Sequence, residues 1–496
     1  MHVNSNWQVL LPPLMPAIAA LLVLVLRKRP QVRDAAPVIG AVLTFLSVVN
    51  LAPAVLAGQV CRMSMCTLLP GITVALRIDG MGLLFAGTAS FLWIAASLYC
   101  IGYMRMLQEH AQTRFYVCYA VAVGGAMGVA FSENLFTLYL FYEIVSVFTY
   151  PLVAHHQDGT SYAGARKYLT YLMFASKALL LPAMAMVYIT CGTLDFNMAD
   201  IHRGIFPAGA NPEIIKACYF MLLFGFAKAA IMPLHSWLPA AMVAPTPVSA
   251  LLHAVVVVKV GVFSVCRMML SLFGTERLAS LDLGVVTAWI AAFTILTASI
   301  IAMTKTDLKA RLAYSTVSQL SYIVLGVAML VPSGITGGLI HIANHAFSKI
   351  SLFFCAGAII CATSKTDIRD MGGLARRMPA TIAIFAIAAL SMIGVPPVGG
   401  FVSKWFLAVG ALEIKSTGLL AVILVSSILN TYYFGEVILR GFFGKPPEEE
   451  VAGAGTLEST AHMRLMIYPM AVASALSILW GLYPDLFLKI IRLKLG

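Results

Sequence analysis

Two lysines, Lys228 and Lys259, lie deep in apolar sequence within the stretch FGFAKAAIMPLHSWLPAAMVAPTPVSALLHAVVVVKVGVFSV, residues 224–265. Between them stand His235 and His253, four prolines (Pro233, Pro239, Pro245, Pro247), and no acidic or basic residue. An ammonium at the middle of a bilayer costs about 2.5–3.5 kcal/mol on insertion scales. Proline there requires protein or water to re-satisfy the backbone groups that it frees. A chain that carries both costs in one place points to a path for a small cation, foremost the proton.

The remaining ionisable residues inside apolar runs are few. Lys177, Arg267, Lys349 and Lys404 complete the basic set. Arg267 lies near the outer end of its run and is expected to snorkel to the interface. Glu143, in LFTLYLFYEIVSVFTYPL, is the carboxylate placed clearly at mid-span. Desolvation disfavours a charged lysine and a nearby carboxylate restores it, so a buried Lys/Glu pair is a two-state proton site. Glu143 is expected within reach of Lys228, with Lys177 as a second partner or a further residue of the same channel. The competing reading is a static ion pair that orders the bundle.

His341, His345 and Lys349 recur at i, i+4 and i+8 in GGLIHIANHAFSKISLFF. That spacing places them on one helix face with about 6 Å of rise between neighbours, roughly one bridging water. Imidazole suits a proton wire because its unperturbed pKa lies near neutrality. The i, i+4 histidines also have metal-ligand spacing, but no third soft or acidic ligand stands nearby. His253 reads equally as a relay or as a hydrogen-bonded core residue, and His235 as a guard of the inner mouth or an interfacial residue. Lys404, in GVPPVGGFVSKWFL, sits past a Pro396-Pro397 break toward the outside. Titratable groups strung across several spans, instead of gathered round one pocket, favour protons over a bulky solute.

These residues need a membrane bundle to hold them. The chain has 496 residues, 60% apolar and 11% charged, against about 25% charged in soluble domains. The expected fold is all-α and polytopic, with spans near 7–26, 36–57, 80–103, 115–132, 134–154, 167–190, 213–233, 248–272, 283–303, 313–332, 336–362, 379–411, 417–440 and 464–484. The residues before the first span carry no basic residue, so no cleaved signal is expected. Basic residues are about twice as frequent in alternate loops, which puts the N-terminus outside; the basic tail after 484 runs against that trend. The net charge of +12 therefore reflects inner loops, not nucleic-acid binding. The segment 445–462 is expected to be a solvated, mobile inner loop. Cys61 and Cys66 are a possible pair in an oxidising compartment. No CxxC, Cys/His cluster or Gly-rich nucleotide fingerprint appears, so no metal, cofactor or electron carrier is expected in this chain. The lysines near proline breaks in the seventh and twelfth spans lie an odd number of spans apart, as in an inverted repeat.

The stretches KAAIMPLHSWLPAAMVAPTPVSALLHA, KTDLKARLAYSTVSQLSYIVLGVA, HIANHAFSKISLFFCAGAI and MIGVPPVGGFVSKWFL resemble the antiporter-like membrane subunits shared by respiratory complex I, energy-converting hydrogenases and Mrp-type sodium/proton antiporters. The resemblance spans roughly residues 80–440. It implies about fourteen transmembrane helices with two inverted five-helix bundles and broken helices seven and twelve. The implied division is a three-helix segment at 1–114, half-channel bundles at 115–272 and 283–440, and an inner loop and last helix at 441–496. By the same resemblance Glu143 and Lys228 are the paired groups of the first half-channel, and Lys259 the connecting residue. His341, His345 and Lys349 then form the second half's chain, and Lys404 faces the outer exit. No long lateral helix is expected after the last span, unlike in the largest complex I subunit, which the His/Lys series nevertheless resembles.

Three functions follow as expectations. The first is a proton-translocating subunit of a redox-driven complex, like NADH/quinone oxidoreductase or membrane-bound hydrogenase, with redox centres in partner subunits and no catalytic centre of its own. The second is an Mrp-type monovalent cation/proton antiporter subunit. The third is a structural scaffold, which leaves five buried lysines unexplained. Expected partners are other membrane subunits, protons and lipid, with sodium an open question and nucleic acid excluded. The expected location is a prokaryotic cytoplasmic membrane.

Overall fold

A computed structural model of the chain describes residues 6–445 and 456–495. The expected mobile loop at 445–462 therefore lies largely outside the described residues, as does the start of the chain. The protein is a bundle of apolar helices. Among the described residues, eleven helices are long and apolar enough to cross a membrane. The other expected spans fall on the shorter Pro212–Gly225 helix, on Leu308–Ala328, and on the pair Pro379–Ile393 and Gly399–Glu413.

In a dry medium the free N–H groups of a first helical turn need acceptors, and short polar side chains supply them. Asp79 accepts from Gly82, Asn134 from Thr137, Asp158 from Ser161 and Asp307 from Ala310 at four helix starts. Asp79 also meets Arg267, whose Nη2 donates to its Oδ1 at 2.8 Å. Arg267 is fully buried, which corrects the expectation that it snorkels. Its side chain turns inward because a carboxylate at the neighbouring helix start satisfies it there.

The segment Thr246–Phe273 forms the axis of the bundle, with no exposed residue along its apolar window. A helix that is apolar on every side belongs in the interior. Two wide i→i+5 turns interrupt it, closed by Val256 N–H to Leu251 O and by Gly274 N–H to Met269 O. Against it lies the irregular run that follows Pro212–Gly225, with a single tight turn at Ala227–Ala229. Gly261 makes that approach possible. A Cβ there would lie 2.2 Å from Ala229 N and from Lys228 C. The helix carrying Lys259 and the turn carrying Lys228 are thus in backbone contact.

Three features lie outside the expected helices. An antiparallel hairpin, Cys61–Leu69 with Ile72–Ile78, occupies the connection between the second and third spans. Cys61 and Cys66 sit on one strand of it, and both are free thiols. The helix Gly159–Cys191 contains a wide turn at Ser176–Leu180, where Leu181 N–H reaches back to Ser176 O. Finally, Asp485–Leu495 is an amphipathic helix. It buries Phe487, Ile490 and Ile491 and leaves Lys489 and Arg492 exposed. Lys489 and Arg492 thus lie on the exposed face of a packed helix.

The contact at Gly261 gives a direct test. Gly261→Ala must push backbone apart, and overpacking of this kind costs about 1–3 kcal/mol. Gly87→Ala, with nothing within 4 Å of the added carbon, is the matched control. Thermal unfolding in detergent should show a lowered melting temperature for Gly261→Ala and none for Gly87→Ala; equal melting temperatures would refute the close contact.

Candidate functional site

Helix geometry separates the two halves of the expected Glu143–Lys228 pair. On Leu135–Val153, Tyr142 and Ser146 are four residues apart and share one face, whereas Tyr139 and Glu143 share another. Lys228 Nζ meets the first face. It donates to Tyr142 O at 2.7 Å and to Ser146 Oγ at 2.6 Å, and it lies 3.1 Å from the centre of the Tyr142 ring. Glu143 meets the neighbouring helix instead. Lys177 Nζ donates to Glu143 Oε2 at 2.9 Å and to Tyr139 OH at 2.6 Å, and Ser176 Oγ donates to Glu143 Oε1. The wide turn at Ser176–Leu180 is the local distortion that presents both side chains to Glu143. Of the two partners expected for Glu143, then, Lys177 makes the bond. The Lys177 side chain is 52% exposed, so this ion pair lies on the outer surface of the bundle while Lys228 is fully buried.

Lys259 is the next buried ammonium. Its Nζ lies 2.7 Å from His345 Nδ1, joining the central helix to Pro332–Thr363. His345 and His341 have ring centres 5.9 Å apart, in line with the spacing read from the sequence. Lys349, four residues further on, donates to Ser315 Oγ. His253 sits on the first wide turn of the central helix, its ring tilted against Phe353 with centres 4.7 Å apart. Both of its ring nitrogens are buried without a hydrogen-bond partner. His235 is partly exposed, with Nδ1 3.3 Å from Pro233 O.

From His341 the polar contacts continue outward. Nδ1 lies 2.8 Å from Ser403 Oγ, and Nε2 lies 3.1 Å from Gln319 Oε1. Lys404 Nζ donates to Met392 O at 2.9 Å, to Ile393 O at 2.8 Å and to Ser427 Oγ at 3.1 Å. The Met392 and Ile393 carbonyls are those freed where Pro379–Ile393 stops, ahead of the next helix at Gly399. Gly394, with φ +92°, leaves room there, since a Cβ would press on the Lys404 chain at 2.7 Å. Asn430 closes the gap. Amide orientation is assigned from hydrogen bonding, and the orientation that suits its neighbours has Asn430 Oδ1 accepting from Gln319 Nε2 at 3.0 Å and from Lys404 Nζ at 3.2 Å. His341, Gln319, Asn430 and Lys404 then form one continuous polar chain through apolar helices.

Lys228, Lys259, Lys349 and Lys404 thus share one feature. Among the described residues, none is ion-paired to a carboxylate; each is held by carbonyls, hydroxyls, an amide or an imidazole. The links that sequence reasoning missed are neutral: Tyr142, Ser146, Ser315, Gln319, Ser403 and Asn430. Ser and Tyr are unremarkable in membrane helices. Gln319 and Asn430, two amides within apolar runs, were the available signal.

Residues 132–430 match the family described as NADH:quinone oxidoreductase/Mrp antiporter, transmembrane. NADH-quinone oxidoreductase subunit N of Desulforudis audaxviator is 36% identical over 361 residues, covering 72% of this chain and 71% of that protein. A Na(+)/H(+) antiporter subunit of Alkalihalophilus pseudofirmus is 32% identical over 442 residues, covering 84% of this chain. The chain spans about half the length of that antiporter protein, 53%. The fold matches a chain of the Mrp complex from Dietzia sp. with a TM-score of 0.85, covering 98% of this chain and 96% of that one at 22% identity. It also matches a chain of the membrane-bound sulfane sulfur reductase, an archaeal respiratory complex, with a TM-score of 0.86 over 98% and 96% at 24% identity. On the matched 132–430 region and the identity to subunit N, this integral membrane chain belongs to the NADH:quinone oxidoreductase/Mrp antiporter transmembrane family.

Proposed function

We propose that this chain is the proton-translocating membrane subunit of a larger redox-driven complex. The observation that supports the reading best is the buried run of Lys259, His345, His341, Gln319, Asn430 and Lys404, bonded in sequence except for the step between the two imidazoles. At that step the ring centres stand 5.9 Å apart, and His341, with Nδ1 facing Ser403 and Nε2 facing Gln319, exchanges one of those contacts to receive the proton. The first half, residues 115–272, takes up the proton at Lys228, with His253 and His235 toward the inner mouth. Lys259 hands it to the second half, residues 283–440, where His341, His345 and Lys349 lead to Lys404 and the outside. Residues 1–114 and 441–496 flank the two halves. Glu143 and Lys177 act as the switch. Their ion pair is close enough to Lys228 to bias its charge, through Tyr142, the residue next to Glu143.

The surface position of that pair supports the expected partners. A half-exposed lysine and its carboxylate are costly against lipid and cheap against protein. A neighbouring membrane subunit covers them in this reading and senses or sets their state. In this reading the redox centres and catalytic sites belong to partner subunits in a prokaryotic cytoplasmic membrane. An Mrp-type cation/proton antiporter subunit is the second reading. The observation in its favour is that the Alkalihalophilus pseudofirmus antiporter protein aligns over 84% of this chain, against 72% for subunit N. Sodium-dependent proton movement by the purified complex without an electron donor would select it.

Lys228→Met separates folding from transport. Ser146 Oγ already donates to Tyr142 O at 3.2 Å, so loss of the ammonium strands no acceptor, and stability should change by no more than about 1 kcal/mol. Proton pumping by the complex should be abolished while the melting temperature is held; pumping at the wild-type rate contradicts the assignment. Gln319→Leu interrupts the chain between His341 and Asn430. Its pumping rate should fall about tenfold or more, in keeping with the loss of a positioned proton carrier, and Gln319→Glu should recover part of it. An undiminished rate in Gln319→Leu would remove Gln319 from the path.

A further inference from the structure

A second group of titratable side chains lies away from the buried lysines, on the face that carries the basic loops. Glu109 and His110 follow the Gly80–Met106 helix, and His155 and His156 follow Leu135–Val153. The two pairs are far apart in sequence, and short-range spacing therefore gave no sign of them. The expectation of no metal rested on such spacing. Folding brings the Glu109 carboxylate to the centre of three imidazoles. Its Oε2 lies 3.5 Å from His155 Nε2, 3.7 Å from His156 Nδ1 and 3.9 Å from His110 Nδ1. The ligand atoms of Glu109, His110 and His156 all fall within 4.8 Å of one another.

These separations suit a metal better than a hydrogen-bonded cluster. Bonds of about 2.0–2.1 Å to a tetrahedral Zn2+ put adjacent ligand atoms roughly 3.3 Å apart. The carboxylate oxygen is already close to that distance from each imidazole, and it is too far for good hydrogen bonds. His155 backs this trio, with its Nε2 turned to the Glu109 carboxylate. Its side chain is 0% exposed, and both ring nitrogens lack a hydrogen-bond partner. A buried polar atom left in that state costs free energy unless something else satisfies it. Arg114 Nη2 donates to His155 O at 2.9 Å, which fixes the backbone that aims the ring at Glu109. His110 and His156, with side chains 49% and 34% exposed, leave an open approach from solvent.

We propose that Glu109, His110 and His156 form a binding site for a divalent transition-metal ion of the Zn2+ class, with His155 packed against Glu109 behind it. Two imidazoles and one carboxylate match the borderline-soft preference of that ion and disfavour Mg2+ and Ca2+, which need oxygen ligands. Bound metal would tie the loop after Gly80–Met106 to the end of the helix that carries Tyr142, Glu143 and Ser146.

The full chain in lipid nanodiscs, stripped with EDTA and titrated calorimetrically with ZnCl2, tests the site. The expected result is saturable uptake of one Zn2+ per chain, unaffected by excess MgCl2. The His110→Ala/His156→Ala double variant should weaken binding by roughly 10–100-fold or more, and the exposure of both side chains favours an unchanged melting temperature. X-ray absorption of the Zn2+-loaded wild type provides a reading independent of any variant: a nitrogen/oxygen shell with imidazole scattering supports the site. Absence of saturable uptake, equal affinity in the double variant, or a sulfur shell would overturn it.

Discussion

The contact between Lys259 Nζ and His345 Nδ1, at 2.7 Å, joins the enclosed central helix to the long helix Pro332–Thr363. It exists because the Thr246–Phe273 helix is enclosed on every side and has no solvent to which its lysine could turn. An ammonium in that position must find a partner on a neighbouring helix, and the partner here is a base that can itself take up the proton. Most of what surrounds the pair follows from the same constraint. Lys228, Lys349 and Lys404 are likewise enclosed, and each is held by neutral oxygen.

Neutral partners matter for what such a chain can do. A buried lysine locked to a carboxylate keeps its charge, and breaking the pair costs several kcal/mol. A lysine held by carbonyls and hydroxyls has no fixed countercharge to release. The carboxylate at mid-span, Glu143, is instead engaged by Lys177 at the bundle surface. The acid is thereby placed where another subunit can reach it, one residue from the Tyr142 carbonyl that holds Lys228. In the proposed function, control at the surface and conduction in the interior fall on the two faces of one helix. The discontinuities serve the same end. The freed carbonyls of Met392 and Ile393 hold Lys404, and the irregular run after Gly225 delivers Lys228 to the central helix, against Gly261.

Much of this was legible in the sequence because charge is expensive in apolar surroundings. Lys228, Lys259, Lys349, Lys404 and Glu143 stood out by type alone, and the i, i+4 spacing of His341 and His345 gave their shared face. Pairing was less legible. Whether Glu143 reaches Lys177 or Lys228 depends on which face of one helix meets which neighbour, and the sequence of either helix leaves that open. Arg267 was misread for a similar reason, since its partner Asp79 lies 188 positions away. The neutral links, Ser146, Ser315, Gln319 and Asn430, carry no comparable signal because hydroxyls and amides in helices bond their own backbone as readily as each other. The Cys61–Ile78 hairpin lies wholly between the spans 36–57 and 80–103, where its mixed apolar and basic residues read as a connecting loop.

The central claim is that the proton crosses between the halves at Lys259. The most direct measurement is proton uptake by proteoliposomes containing the intact complex, driven by its own electron donor, with Lys259→Met beside the wild type. The account predicts continued electron transfer with proton uptake lost. Uptake at the wild-type ratio to electron transfer would contradict it.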